Sequence, residues 1–261
     1  MIKTSLPTAA RIVEIAEECA KVWTVVLDLS LEAEPGQFVM VWLPGADEKP
    51  FSLVRAAPVT LTIAQVGPLT TRIFGLRVGD RLWVRGPLGH GFVFPPQAAY
   101  RQQGAILLIA GGYGVAPLHF LAEQALAAGW EVNAVIGART GENVIFRQRL
   151  AALGAEVHVT TDDGTLGEQG LATEATERLI VARGAHTFGA LYACGPEPML
   201  TAVEGLAERY GLPAQLSYER YMRCGFGVCG SCAREGWLVC SDGPVKCTAG
   251  VQHRTTTEVY P

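Results

Sequence analysis

Cys224, Cys229 and Cys232 stand in the pattern C-x4-C-x2-C, and Cys240 follows after seven intervening residues. The chain has seven cysteines, five of them between positions 224 and 247. This spacing is that of plant-type 2Fe-2S sites, where each iron completes its tetrahedron with two thiolates besides the bridging sulfides. Gly225, Gly227 and Gly230 lie between the thiols. Glycine tolerates positive φ and lets backbone N–H groups reach sulfur, where hydrogen bonds tune reduction potential. A four-thiolate zinc site is the competing reading. Zinc modules usually present two C-x2-C knuckles, whereas here one such pair is followed by a lone thiol. Cys247 competes with Cys240 for the fourth place, and Cys19 is expected to be buried in the first domain.

The 261 residues suffice for about two ordinary domains beside a small metal-organised one. Hydrophobic residues make up 49% and charged residues 18%, which excludes a disordered chain. The net charge of -4, from 21 basic and 25 acidic residues, provides no basic field for a nucleic-acid backbone. The segment 1–20 lacks a charged head followed by an apolar run, and no stretch approaches the ~20 apolar residues of a membrane span. A cytoplasmic location is the expectation, and clustered thiols in a reducing compartment are more often ligands than bridges.

Residues 1–100 read as short strands broken by turns: RIVEIAEEC, VWTVVLDLS, QFVMVWLP, FSLVRA, VTLTIAQV and RLWVRGPL, an antiparallel sandwich or barrel. The pattern then changes to that of a doubly wound parallel sheet. The buried strand AILLIA precedes a helix from Pro117 to Ala128, the strand EVNAVIGA, a helix from Asn143 to Leu153 and the strand AEVHVTT. A helix from Glu174 to Arg183, the strand ALYACG and a helix from Glu197 to Tyr210 complete the unit 101–215. Residues 216–261, rich in Gly and Cys without a sustained period, read as a domain organised by its metal centre.

Two loops of the parallel-sheet unit suit a nucleotide. Gly111, Gly112 and Gly114 lie between a strand and a helix, where a pyrophosphate meets backbone N–H groups, although a merely tight turn explains them equally. Cys194, Gly195 and Pro196 end a later strand, at the edge where open α/β sheets bind ligands. In the first unit, Lys49 to Ser52, Gly67 to Arg72 and Gly86 to Phe92 read as loop segments with polar groups or dense glycine. His90, His119 and His158 are scattered rather than paired with an acid and read as surface or core residues. Glu219 and Asp162 read as loop-stabilising.

The order of these segments resembles the ferredoxin-NADP reductase superfamily, in which a flavin-binding barrel precedes a nicotinamide-binding α/β domain. Within it, KPFSL, GPLGHGF, GGYGVAPL, TDDG, CGPEPML, ERYMRCGFGVCGSC and VCSDGPV together are similar to the electron transfer subunits of two-subunit, NAD-linked dihydroorotate dehydrogenases. The resemblance implies an FAD along Pro50, Phe51, Ser52 and Leu53, with its pyrophosphate near Gly67, Thr70 and Thr71. It implies NAD(H) at Gly111, Gly112, Gly114, Cys194, Gly195 and Pro196, and a 2Fe-2S cluster on Cys224, Cys229, Cys232 and Cys240. A partner follows from it as well: an FMN-binding catalytic subunit that oxidises dihydroorotate to orotate in pyrimidine synthesis, in a heterotetramer with two copies of each chain.

Such cofactors would convert two-electron hydride transfer into one-electron steps, so no strong general base is required of the protein. Two positions depart from the family. Lys49 stands where Arg is usual, and an ammonium lacks the planar fork that grips a phosphate. Lys246 follows DGPV where an aromatic residue is common. Arg139, after the second strand of the nucleotide unit, could meet a 2'-phosphate or stack on adenine, which leaves NADP open on residues alone while the family implies NAD. Alternatives are the electron-input subunit of a sulfite reductase, a hydrogenase or a ferredoxin-linked NADP oxidoreductase, and a zinc-stabilised binding protein. Cys224 favours the dihydroorotate type, because some of those relatives carry aspartate there.

Overall fold

The structure, a computed structural model, describes residues 6–95 and 104–248. Six antiparallel strands close a barrel: β1 (Thr8–Cys19), β2 (Val22–Leu27), β3 (Phe38–Trp42), β4 (Glu48–Ala56), β5 (Val59–Ala64) and β6 (Arg81–Leu88), in the order β1-β2-β5-β4-β3-β6. Alternation along the strands sends Ile12, Val25, Val39, Val41, Leu53, Leu61 and Leu82 into the interior. The segment after Gly67, read from sequence as a loop, is a helix, α1 (Pro68–Ile73). Proline fits the first turn of a helix, and Leu69 and Ile73, one turn apart, pack into the barrel core.

A parallel sheet follows, built from β7 (Ala105–Gly111), α2 (Val115–Ala127), β8 (Glu131–Ala138), α3 (Arg147–Leu153), β9 (Glu156–Thr161), β10 (Glu168–Gln169), α4 (Ala172–Arg183), β11 (Phe188–Cys194), α5 (Glu197–Tyr210) and β12 (Ala214–Ser217). Its order is β10-β9-β8-β7-β11-β12, so the winding reverses between β7 and β11. Apolar side chains of α2 and α3 cover one face and those of α4 and α5 the other. The architecture of barrel, doubly wound sheet and cysteine-rich C-terminal segment is the one expected. The helix expected from Asn143 starts only at Arg147: Gly141–Asn143 form a 3-10 turn, Val144 is extended, and Phe146 adopts a left-handed φ of +64°, which turns Ile145 and Phe146 into the core.

In the C-terminal segment, β13 (Ala233–Arg234) and β14 (Trp237–Leu238) form a small hairpin, and β15 (Val245–Cys247) adds antiparallel to β12 as the last strand of the large sheet. The rest of the segment packs on the barrel: Met222, Cys232, Val239 and Cys240 form one buried group with Phe38 and Met40 of β3. Cys19, expected to be buried, is half-buried, because it ends β1 at the turn into β2. Among the described residues no helix is long and apolar enough to cross a membrane.

Gln215 of β12 fastens the chain leaving the barrel to the sheet. Its carboxamide accepts from the Val93 N–H at 2.8 Å and donates to the Val93 carbonyl at 2.6 Å, to which the Tyr192 hydroxyl also donates. Gln215→Leu leaves the Val93 N–H without that acceptor and is expected to cost about 1–3 kcal/mol. Tyr192→Phe costs less, since Gln215 still serves the carbonyl; urea unfolding midpoints of the two variants check the order.

Candidate functional site

A cleft of about 710 Å³ opens where the sheet reverses, at the C-terminal ends of β7 and β11. Gly111, Gly112 and Gly114 wall it on one side and Gly195 and Pro196 on the other, with Arg139, Asp162 and Glu219 also in the lining. The glycines divide into two kinds. A Cβ on Gly114 would lie 2.1 Å from the Cys194 carbonyl oxygen, one on Gly111 2.6 Å from Pro196 Cδ, and one on Gly195 2.6 Å from Met199 Cε. These three hold the two loops against each other. Gly112, with φ of +53° and nothing within 4 Å of its would-be Cβ, presents open backbone instead.

Cys194 is not part of the wall. It is buried at the end of β11, and burial, followed by the nearby Glu219 carboxylate, pushes its thiol up to about 12. Glu219 and Asp162, read from sequence as loop-stabilising, both stand in the cleft wall. None of the three histidines considered does. His119 is buried in α2 edge-on to Phe146, with burial lowering its pKa; His158 lies 3.2 Å from Glu156, and His90 bridges to Pro244.

The barrel contributes an outward face. In the β3–β4 register Phe38 pairs with Ser52 and Met40 with Pro50, so Pro50 and Ser52 share the side on which Phe38 and Met40 meet the cysteine segment. Phe51 packs against the barrel core and Leu53 is fully buried within it. Thr70 is buried and occupied locally: its hydroxyl accepts from the N–H groups of Val66 and Gly67 and lies 3.0 Å from the Gly67 carbonyl. Gly67 is half-exposed and Thr71 exposed. Lys49 sits 2.6 Å from Asp47 and over the Tyr221 ring, and Lys246 lies 3.9 Å from Glu235.

Of the four predicted thiols, Cys224 lies beside Cys229, and Cys240 lies beside Cys232 and within electrostatic reach of Cys224. The Gly227 N–H donates to Cys240 Sγ at 3.2 Å, and the Cys240 N–H to Cys232 Sγ at 3.4 Å. Cys229 is exposed, and hydrogen bonding to Ser231 draws its thiol down to about 6. Burial, then its neighbour Cys232, pushes Cys240 up to about 12. Cys247 belongs to β15, opposite Gln215, and burial raises it to about 11. Among the described residues no three His, Cys, Asp or Glu side chains converge as around a single metal ion.

Two charged residues that sequence reasoning passed over tie these parts together. Glu197, in the first turn of α5 beside the cleft, accepts from Arg220 at 3.0 Å and from Arg234 at 2.6 Å, both in the C-terminal segment. Arg85 of β6 grips Glu48 through Nε and Nη2 and donates from Nη2 to the Cys224 carbonyl at 2.8 Å. An arginine amid the apolar run RLWVRGPL was the available signal for the second.

Barrel, cleft and thiol-bearing segment in this order define an oxidoreductase subunit of the ferredoxin-NADP reductase type. Residues 108–205 match the family model for the oxidoreductase NAD-binding domain, and residues 219–251 that for the iron-sulfur cluster binding domain of dihydroorotate dehydrogenase B. The protein named "Probable dihydroorotate dehydrogenase B (NAD(+)), electron transfer subunit" in Methanothermobacter thermautotrophicus is 41% identical over 253 residues, covering 94% of this chain and 90% of that protein. Its namesake in Thermococcus kodakarensis is 41% identical, covering 90% and 95%. The chain belongs to this family of dihydroorotate dehydrogenase B electron transfer subunits. Among solved structures, that of the NADH-dependent reduced ferredoxin-NADP oxidoreductase, described in the context of flavin-based electron bifurcation, aligns with a TM-score of 0.79 and 28% identity over 95% of this chain and 90% of that one. The ferredoxin reductase in carbazole 1,9a-dioxygenase, at 0.67 and 21% over 79% and 66%, shares the fold. Together the matches support the expected set of FAD, a 2Fe-2S cluster and NAD(H).

The two kinds of glycine predict different losses. Gly114→Ala drives a methyl into the Cys194 carbonyl and is expected to lower the unfolding midpoint sharply. Gly112→Ala keeps the fold at a backbone cost of about 1–2 kcal/mol and weakens NADH binding about tenfold, equivalent to about 1.4 kcal/mol. Thermal unfolding and fluorescence titration with NADH separate the two.

Proposed function

We propose that the chain carries electrons between NAD(H) in the cleft, an FAD against the outward barrel face and a 2Fe-2S cluster on Cys224, Cys229, Cys232 and Cys240. The onward partner is the FMN-containing catalytic subunit that oxidises dihydroorotate to orotate in pyrimidine synthesis, in a heterotetramer of two copies of each chain. The observation that carries this reading is the gathering of the thiols against the barrel face, Cys224 beside Cys229 and Cys232 beside Cys240. Two irons require two thiolate pairs, whereas zinc requires four thiolates around one point. Both pairs fit the binuclear group, and Cys232 and Cys240 are packed onto the barrel face that bears Pro50 and Ser52.

A nicotinamide exchanges a hydride, a cluster one electron and a flavin either, which is the chemistry these groups supply when bound. The protein's part is placement. Pro50 and Ser52 offer the contact face for the flavin ring, while Phe51 and Leu53 brace that face from the barrel core. Thr70 fixes the turn at Gly67 that precedes the exposed Thr71, leaving the Gly67–Thr71 segment to meet the flavin pyrophosphate. Gly112 gives the dinucleotide open backbone, Gly111, Gly114, Gly195 and Pro196 hold the mouth of the cleft, and Cys194 supports it from beneath. The cleft volume lies in the ~300–1,000 Å³ range of cofactor sites. Division into residues 1–100, 101–215 and 216–261 and a cytoplasmic location, where thiols stay reduced, belong to the same reading.

A second reading has one observation in its favour, the likeness over 95% of the chain to the NADH-dependent reduced ferredoxin-NADP oxidoreductase structure. Co-expression with the FMN-containing partner separates the two: dihydroorotate-dependent NAD reduction is expected, and ferredoxin-dependent reduction without it overturns the assignment. In the same preparation Cys240→Ser is expected to lose the iron and labile sulfide that Cys247→Ser retains. The reverse result moves the fourth ligand to Cys247, and zinc in place of iron removes the redox reading.

A further inference from the structure

The guanidinium of Arg85 lies under the cysteine segment, and its side chain is only 9% exposed. Nε and Nη2 lie 3.1 and 2.9 Å from the two oxygens of Glu48, and Nη2 also donates to the Cys224 carbonyl at 2.8 Å. Nη1 is buried with no hydrogen-bond partner, and Cζ stands 5.4 Å from the centre of the Phe226 ring, within the Cys224–Cys229 loop. The adjoining Gly225, with φ of +74°, lies so close to Met40 and Leu88 that it has no space for a Cβ, which seats the loop directly on the barrel beside this charge. The other nearby charges are of a different kind: Arg223 is exposed, and Lys49 is paired with Asp47 at the surface.

We propose that Arg85 is a positioning and potential-setting residue for the cluster, holding Cys224 through its carbonyl and raising the reduction potential, with Glu48 acting in opposition. This rests on the cluster assignment above. Reduction adds one electron, hence one negative charge, to the centre. A cation shielded from water favours that state, and a neighbouring carboxylate disfavours it. Exposed Arg223, though next to Cys224 in the chain, is screened by solvent and salt.

The test is an EPR-monitored redox titration of the intact, cofactor-loaded protein. Arg85→Gln is expected to lower the cluster potential enough to cut the equilibrium constant for electron transfer onto the cluster about tenfold, or 59 mV for a one-electron couple. Glu48→Gln, which can still accept from Arg85, is expected to raise it, and Arg223→Gln to shift it much less than either. Opposite signs from two partners of one ion pair distinguish charge tuning from a structural role, which would shift both alike. Equal or same-direction shifts, with iron and sulfide content intact, overturn the inference; if Arg85→Gln does not fold, an unmoved potential in Glu48→Gln overturns it alone. A wild-type protein without iron and sulfide overturns the function reading instead.

Discussion

The contact between the outward side of β3 and the cysteine segment is the interaction on which the rest of the molecule depends. Phe38 and Met40 point away from the barrel interior, yet are almost completely excluded from water, because Met222, Cys232, Val239 and Cys240 cover them. Burying side chains of this size stabilises the contact by about 1.5–3 kcal/mol each. It also fixes where the cysteines lie: the loop between Cys224 and Cys229 has a glycine where it touches Met40, since a Cβ on Gly225 would lie 2.9 Å from Met40 Cγ. One packed face thereby serves two purposes, carrying Pro50 and Ser52 on β4 and seating the thiols beside them.

The nucleotide unit is joined to the same segment from its other side. β15 extends the large sheet through β12, while Glu197 at the start of α5 holds Arg220 and Arg234. Arg234 is nearly buried and stacks on Tyr218, so its charge depends on Glu197 and Glu235 for compensation. The first turn of α5, which borders the cleft, and the cysteine segment are therefore joined through one carboxylate. The relay proposed above needs short, fixed separations between cofactors, and these contacts join the parts that would hold them.

Local pattern carried much of this into the sequence. Alternating and continuous apolar runs located the barrel strands and β7, β8, β9 and β11, and cysteine spacing located the thiol group. Lys49 to Ser52, read from sequence as a loop, lie within β4, so only Pro50 and Ser52 of Pro50–Leu53 face outward while Phe51 and Leu53 turn to the barrel core. What was lost depended on very short or very distant relations. In α1 the helical signal is a single apolar pair, Leu69 and Ile73, beneath turn-like Gly67-Pro68, and the late start of α3 rests on the backbone of one residue, Phe146. The Arg85–Cys224 hydrogen bond spans 139 positions, so no window along the chain reveals it. The glycines after β7 were legible as a loop, but that Gly111 and Gly114 serve loop-to-loop packing and Gly112 the open cleft emerges only from the fold.

In the proposed relay this chain alone would take both electrons of the NADH hydride onto its FAD and pass one of them to its cysteine-bound cluster, the other staying on the flavin. Anaerobic addition of NADH to the purified, cofactor-loaded chain, followed by EPR at low temperature, tests it directly. The signal of a reduced 2Fe-2S centre is expected, at about one unpaired spin per chain. A flavin that bleaches on NADH addition while the sample stays EPR-silent would contradict it.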